Sequence, residues 1–219
     1  MRLTRMRKYL IVFIVFGIVA AGFVTIANFS RVRAQHLLAA LQTIRVGTTT
    51  FAEMQVLARQ HHAHLSQPCE ASLCRFDFPL IENTVLAKTH LAPVTRFGGL
   101  VTVKNGKVSY MTVGLDVTSR VRTITSADVL VFPPGEQEAF PSGGAPFSIH
   151  TTWGGAFKQG ESDKKWKTIV TMTSNAVPEL QRAAFDFNLS CLTRLGGCTD
   201  SGELLPELPQ QQWRNEARP

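Results

Sequence analysis

The apolar positions of this chain repeat in three different ways along its length. From Tyr9 to Phe29, "YLIVFIVFGIVAAGFVTIANF", there is no charged residue at all. As a helix these 21 residues extend about 30 Å, the hydrocarbon thickness of a bilayer, so the run predicts a transmembrane helix over 9–29. A cleaved signal peptide is the competing reading, because Tyr9 to Val19 alone makes an apolar core and "AAG", Ala20 to Gly22, supplies small residues for cleavage. Next, "SRVRAQHLLAALQTIRVG" places apolar residues at 34, 37, 38, 41 and 44, the spacing of one helix face, with Gly47 just beyond. "TTTFAEMQVLARQHH" offers Thr50 as a cap and Glu53 three residues later, the pairing that satisfies two free N–H groups at a helix start. A helical hairpin is expected.

After Cys69 the repeat shortens to two. "LCRFDFPL" alternates like a strand, whereas "ENTVLAKTHL" fits either a short helix or an extended crossover. In "GGLVTVKNGKVSYMTVGLDVT" alternation runs into Asn105-Gly106 and out again, the signature of a hairpin with a two-residue turn at positive φ. "VRTITSADVLVF" continues as strand. The stretch "PPGEQEAFPSGGAP", with four Pro and three Gly in 14 residues, reads as an exposed loop near Gly135. "FSIHTTW" and "KKWKTIVTMTS" read as a second strand pair. "VPELQRAAFDFNLSCLTRL" returns to helical spacing, with Pro178 suited to a first turn and Gly196-Gly197 at its end. The tail is Pro-rich and polar, and it frays unless Leu204, Leu205, Leu208 or Trp213 dock on the rest. The expected fold class is α+β, with an N-terminal transmembrane helix, then a helical hairpin and a C-terminal helix packed on an antiparallel sheet of about five or six strands.

Charge sharpens this division. Arg2, Arg5, Arg7 and Lys8 precede the apolar run with no acidic residue among them, and only Arg31 and Arg33 closely follow it. The positive-inside rule then keeps the N-terminus cytoplasmic and sends the rest outside, giving a single-pass protein of the plasma (inner) membrane. The expected organisation is a basic flank over 1–8, the span over 9–29, an extracytoplasmic α+β domain over 30–198 and a Pro-rich polar tail over 199–219. The net charge of +7 includes the four basic residues of the flank, which leaves 19 basic against 16 acidic residues beyond it. That balance is ordinary for a soluble domain and gives no reason to expect nucleic acid. The lipid bilayer is the expected partner, and an envelope protein a further one.

The segment "LQTIRVGTTTFAEMQVLARQ", within residues 36–62, resembles the two-helix start of BamE/SmpA-like envelope proteins: an apolar helix, a Val-Gly-Thr turn and a capped second helix ahead of antiparallel strands. Members of that family are small lipid-anchored proteins that assist outer-membrane assembly or bind partners; for this chain the resemblance implies a shared layout. It departs from that family in having no lipid-anchoring Cys and in being longer. The closing "FNLSCLTRLGGC" followed by "LLP" also resembles an ending found in bacterial membrane proteins, and no activity attaches to it.

The four cysteines follow from the compartment, since thiols outside the cytoplasm pair. Cys69, Cys74, Cys191 and Cys198 allow three connectivities. A bridge closing about 120 residues gains nearly 5 kcal/mol of chain entropy, against about 2 to 2.5 kcal/mol for each local loop. The geometry nonetheless favours local closure, because Gly196-Gly197 can reverse the chain between Cys191 and Cys198. Local pairing is expected. A zinc site built from His61, His64, Cys69 and Cys74 is the alternative, with the right ligand types but spacings unlike a compact knuckle. The "HHAH" cluster reads more simply as a solvated helix end.

No nucleophile elbow, zinc-protease helix, phosphate loop or dinucleotide fingerprint occurs in the chain. His90 and His150, with Asp77, Asp116 or Asp186 as orienters, are the residues a hydrolase would draw on. Phe76, Phe78, Phe97, Trp166, Phe185 and Phe187 fit a core. Trp153-Gly154-Gly155 stands apart, because an aromatic beside glycines at a strand end can line a binding edge. The expected function is a membrane-anchored extracytoplasmic binding or scaffolding module without catalytic activity and without a cofactor. The alternatives are a small-molecule or lipid carrier, which needs an apolar cavity beneath the helices, and a hydrolase.

Overall fold

The computed structural model describes the backbone of residues 2–66, 69–118, 124–134, 147–158 and 161–208, and within these it leaves aside the side chains of 2–12, 19–20, 23, 27, 147–148, 150–166 and 201. The Pro/Gly stretch from Gly135 to Pro146 and Trp213 lie outside the described residues.

The chain begins with one unbroken helix, α1 (Arg2–Gln42). This corrects the expectation of a separate transmembrane helix over 9–29. The return of polar residues at Ser30 and Arg31 does not end the helix, because a helix ends where its backbone hydrogen bonding ends and nothing in "NFSRVRAQ" interrupts that. Among the described residues, no helix is long and apolar enough to cross a membrane. The second half of α1 behaves as its spacing predicts: Ala34, Leu37, Leu41 and the following Ile44 are buried in the core, with Leu38 packed against them. The described large side chains of the first half, Phe13 to Phe29, are exposed.

A short turn leads to α2 (Phe51–Gln60), and its start is the capping box read from the sequence. Glu53 Oε2 accepts from the Thr50 N–H at 2.7 Å, and the Glu53 N–H donates back to Thr50 Oγ1. The two bonds from Thr50, backbone then side chain, hold the Glu53 carboxyl below its ordinary range. The turn is pinned to the sheet: the N–H groups of Gly47 and Phe51 donate to Val108 and Gly106, and Val108 donates to Thr49.

The strands are β1 (His64–Leu65), β2 (Leu73–Asp77), β3 (Ile81–Glu82), β4 (Val94–Lys104), β5 (Lys107–Thr118), β6 (Ile124–Phe132), β7 (Phe147–Lys158) and β8 (Glu161–Thr173). All eight join one sheet in the order β1-β2-β4-β5-β6-β8-β7, with β3 also paired to β4. The hairpin at Asn105-Gly106 forms as read, both residues taking positive φ, 53° and 78°. Between β3 and β4 "TVLAK" is a short helix, α3 (Thr84–Lys88).

The sheet differs from the expected one in kind. Among the described residues it has eight strands rather than five or six, and it is mixed, because β8 runs parallel to β6. Strands β7 and β8 do form an antiparallel hairpin, but β8 inserts between β6 and β7, which leaves β7 at the sheet edge. Local alternation identifies a strand and a nearby turn; it does not say which strand of a hairpin will face its predecessor.

The C-terminal part also departs from one continuous helix. It divides into α4 (Pro178–Ala184), a 3-10 turn over Leu189–Leu192 and α5 (Ser201–Leu204). Asn188 causes the break. Its side chain caps the 3-10 turn, its Nδ2 donates to Glu203 O, and its N–H donates to Leu204 O. That interruption lets Phe187 turn inward to meet Phe97 edge-on at 5.7 Å. Leu204, Leu205 and Leu208 are buried, so the tail docks at these residues.

The helices share one face of the sheet. Register sets that face: Phe97, Val101, Leu115, Val113, Ala127, Val129 and Val170 all lie in the core. Gly99 admits α1, for a Cβ there would stand 2.7 Å from Leu41 Cδ1. Asn83, buried, fixes the β3–β4 connection by donating to Pro93 O and accepting from the Thr95 N–H.

Candidate functional site

Both local disulfides are present. Cys69 joins Cys74 with Cα atoms 4.4 Å apart, and Cys191 joins Cys198 at 5.3 Å. Gly196 and Gly197 make the reversal that the second bridge needs, both at positive φ. Pro93 lies so close to Gly197 that a Cβ there would overlap its ring. The alternative zinc set is thereby dismantled, because both sulfurs are spent on each other. His61 stacks obliquely on Phe78, and His64 pairs in β1 opposite Asp77. Among the described residues no group of three or more His, Cys, Asp or Glu is disposed to hold a metal ion.

The residues a hydrolase would use are dispersed. His90 is exposed in the turn after α3, Asp77 is ion-paired to Arg75 at 2.8 Å, Asp186 is exposed after α4, and the backbone of His150 sits opposite Ile169 in the β7–β8 hairpin. Trp153, Gly154 and Gly155 occupy the middle of β7 rather than a strand end, paired with Trp166, Lys165 and Lys164. They do lie on an edge strand.

Asp116 belongs to a cluster on the face of the sheet away from the helices. Register puts Asp116 opposite Ser126 and Gly114 opposite Asp128. Gly114 makes room there, since a Cβ would stand 2.4 Å from Asp128 Oδ1. Asp128 then reaches Lys167 at 2.8 Å. Burial first, and the neighbouring Asp128 charge second, push the Asp116 carboxyl up. Burial works against the Lys167 charge, but the hydrogen bond to Asp128 and the charges of Asp128 and Asp116 outweigh it and raise the ammonium. Tyr110 and Phe132 stack nearby, ring centres 4.9 Å apart.

A different site lies on the helical side, at one end of the sheet. Met111, Val131 and Met172 are consecutive partners across β5, β6 and β8, so register alone places three apolar side chains in one row. Ile44, Val46 and Phe185 extend this floor. Gln42 at the end of α1 and Pro178, Gln181 and Arg182 of α4 line the rest of a groove of about 350 Å³. Gln181 fixes its far wall, because its Nε2 donates to the carbonyls of Ser174 and Ala176 at 3.2 and 2.7 Å. Arg45 and Arg182, both exposed, line the groove from opposite sides of the chain. The Arg45 backbone is held by a tight turn: its N–H donates to Thr49 Oγ1 and its carbonyl accepts from Thr48 and Thr49. Among the described residues, neither guanidinium has a hydrogen-bond or ion-pair partner. A second hollow, about 430 Å³, lies between α2 and β1 beside Arg59 and His62, but its Arg59 Nε already donates to Gln55 O.

The groove was not legible in the sequence. Its floor residues alternate like any core strand, and Arg45 and Arg182 belong to helix ends far apart in the chain. Only the end of the helical pattern at "TIRVG", where an Arg interrupts apolar residues, marks one side of it.

No family model, curated protein or solved structure matches the chain, and nothing in these comparisons bears on the resemblance to BamE/SmpA-like proteins.

Proposed function

We propose that the chain is a binding module of the cell envelope that takes its ligand or partner segment in the groove between α1 and α4. The single observation carrying this reading is the pairing of an apolar floor with two guanidiniums that lack partners among the described residues. Such a site supplies burial and fixed positive charge, two requirements of recognition. The reading places the module outside the cytoplasm, supported by two disulfides, which persist in oxidising compartments.

The test is native capture of the full chain from its own cells, followed by analysis of both the proteins and the solvent-extractable molecules retained. Gln42→Trp blocks the groove from its exposed rim without touching the core. A species retained by the parent and lost from this variant is the expected result. Retention that is identical in both, or nothing retained by either, contradicts the reading.

A further inference from the structure

We infer that the groove takes a medium-length acyl chain ending in one anionic group, a fatty-acid-like amphiphile. This rests on the groove being the binding site and adds the class of ligand. Three observations converge on it.

The first is size. The groove's volume of about 350 Å³ accommodates roughly a dozen non-hydrogen atoms, and its open side sets no upper length. Decanoate, a ten-carbon acid, has that size. The second is the floor. Met111 and Met172 flank Val131 and are nearly buried beneath the groove, and unbranched thioethers can shift to admit a flexible chain more readily than branched side chains. Phe185, half-buried, adds a flat wall. The third is charge. Arg45 and Arg182 come from different elements, and each presents a planar fork of N–H donors that fits a carboxylate or phosphate.

A peptide segment suits the groove less well. It would bring amides that need partners along the walls, and the Gln181 amide is already committed to two backbone carbonyls. A ligand with its polarity gathered at one end avoids that cost.

The experiment is equilibrium binding of labelled decanoate, decyl phosphate and decanol to the full chain in neutral detergent, with detergent alone as the blank. Decanoate should bind saturably, one per chain, and decanol at least about tenfold more weakly, because charge-assisted hydrogen bonds distinguish them. Arg45→Gln and Arg182→Gln should each weaken decanoate about tenfold and leave decanol unchanged. Both positions are exposed, so the variants should fold, which thermal unfolding checks. Tighter binding of decyl phosphate than of decanoate would also support the inference and would assign the anionic group to a phosphate. Equal binding of acid and alcohol by the parent would overturn it, as would a preference unmoved by both Arg substitutions. Should no amphiphile bind while Gln42→Trp still abolishes retention of a native species, the ligand class is wrong and the groove stands. Should Gln42→Trp abolish nothing, the groove itself fails.

Discussion

The two faces of the sheet treat charge in opposite ways. On the face away from the helices, Asp128 pairs with Lys167 and Glu82 with Arg96, so these two cations are matched within the fold, while Asp116 sits beside the like charge of Asp128. On the helical face Met111, Val131 and Met172 stay almost wholly buried, and at one end a groove lies over them between Arg45 and Arg182, which have no partner among the described residues. The difference teaches where to look for recognition. Charges that pair within the fold consume their own field, while a cation left beside apolar surface has its interaction energy still to spend on a ligand.

If the covered face carries the stability, the largest effect comes from its centre. Phe97, fully buried against Phe187, should cost about 3 to 5 kcal/mol on Phe97→Ala, measured by chemical denaturation. A loss below about 1 kcal/mol would show that the core lies elsewhere.

A smaller effect of opposite sign is expected at Thr168, on the same face. Its hydroxyl is buried and has no hydrogen-bond partner among the described residues, so Thr168→Val should stabilise the protein by about 1 kcal/mol or more. Destabilisation would mean that the hydroxyl is bonded in solution.

The smallest effect belongs to the open face and depends on pH. Asp116 has a folded-state pKa above its ordinary 3.8, so the folded state binds its proton more tightly than the unfolded chain does. Its contribution is therefore most favourable at low pH and is lost as pH rises from the ordinary value through the raised one. Asp116→Asn should be more stable than the parent at neutral pH, by under about 1 kcal/mol, with the gain shrinking as the solution is acidified through that window. Lys167 works in the other direction: its raised pKa stabilises the fold below the ordinary 10.5, and that contribution disappears as pH rises through the folded value. Thermal unfolding across pH for parent and variant checks both signs, and a gain that grew on acidification would contradict the assignment to Asp116.

The features legible in the sequence were those governed by neighbours along the chain. Thr50 and Glu53 cap a helix because three residues separate them, Asn105-Gly106 turns because both tolerate positive φ, and the two disulfides close locally because short loops suffice. What escaped was set by pairing at a distance. Nothing in "KKWKTIVTMTS" announces that β8 will lie parallel to β6, yet that choice puts Met172 beside Val131 and so creates the groove floor. The same holds for Asn188, whose break of the helical pattern depends on accepting α5 as a partner. The continuity of α1 past Phe29 escaped for a different reason, since the change from apolar to amphipathic spacing marks a change of surroundings and not a helix end.

The most direct test of whether the groove beside Arg45 and Arg182 takes an anionic chain is photolabelling. Decanoic acid carrying a diazirine at its methyl end would be photolysed on the full chain, and the adducts mapped by mass spectrometry. The account predicts adducts on peptides containing Met111, Met172 or Phe185, and their loss when Arg45 and Arg182 are both changed to Gln. Adducts confined to Phe13–Phe29 of α1, or to the hollow beside Arg59, would contradict it.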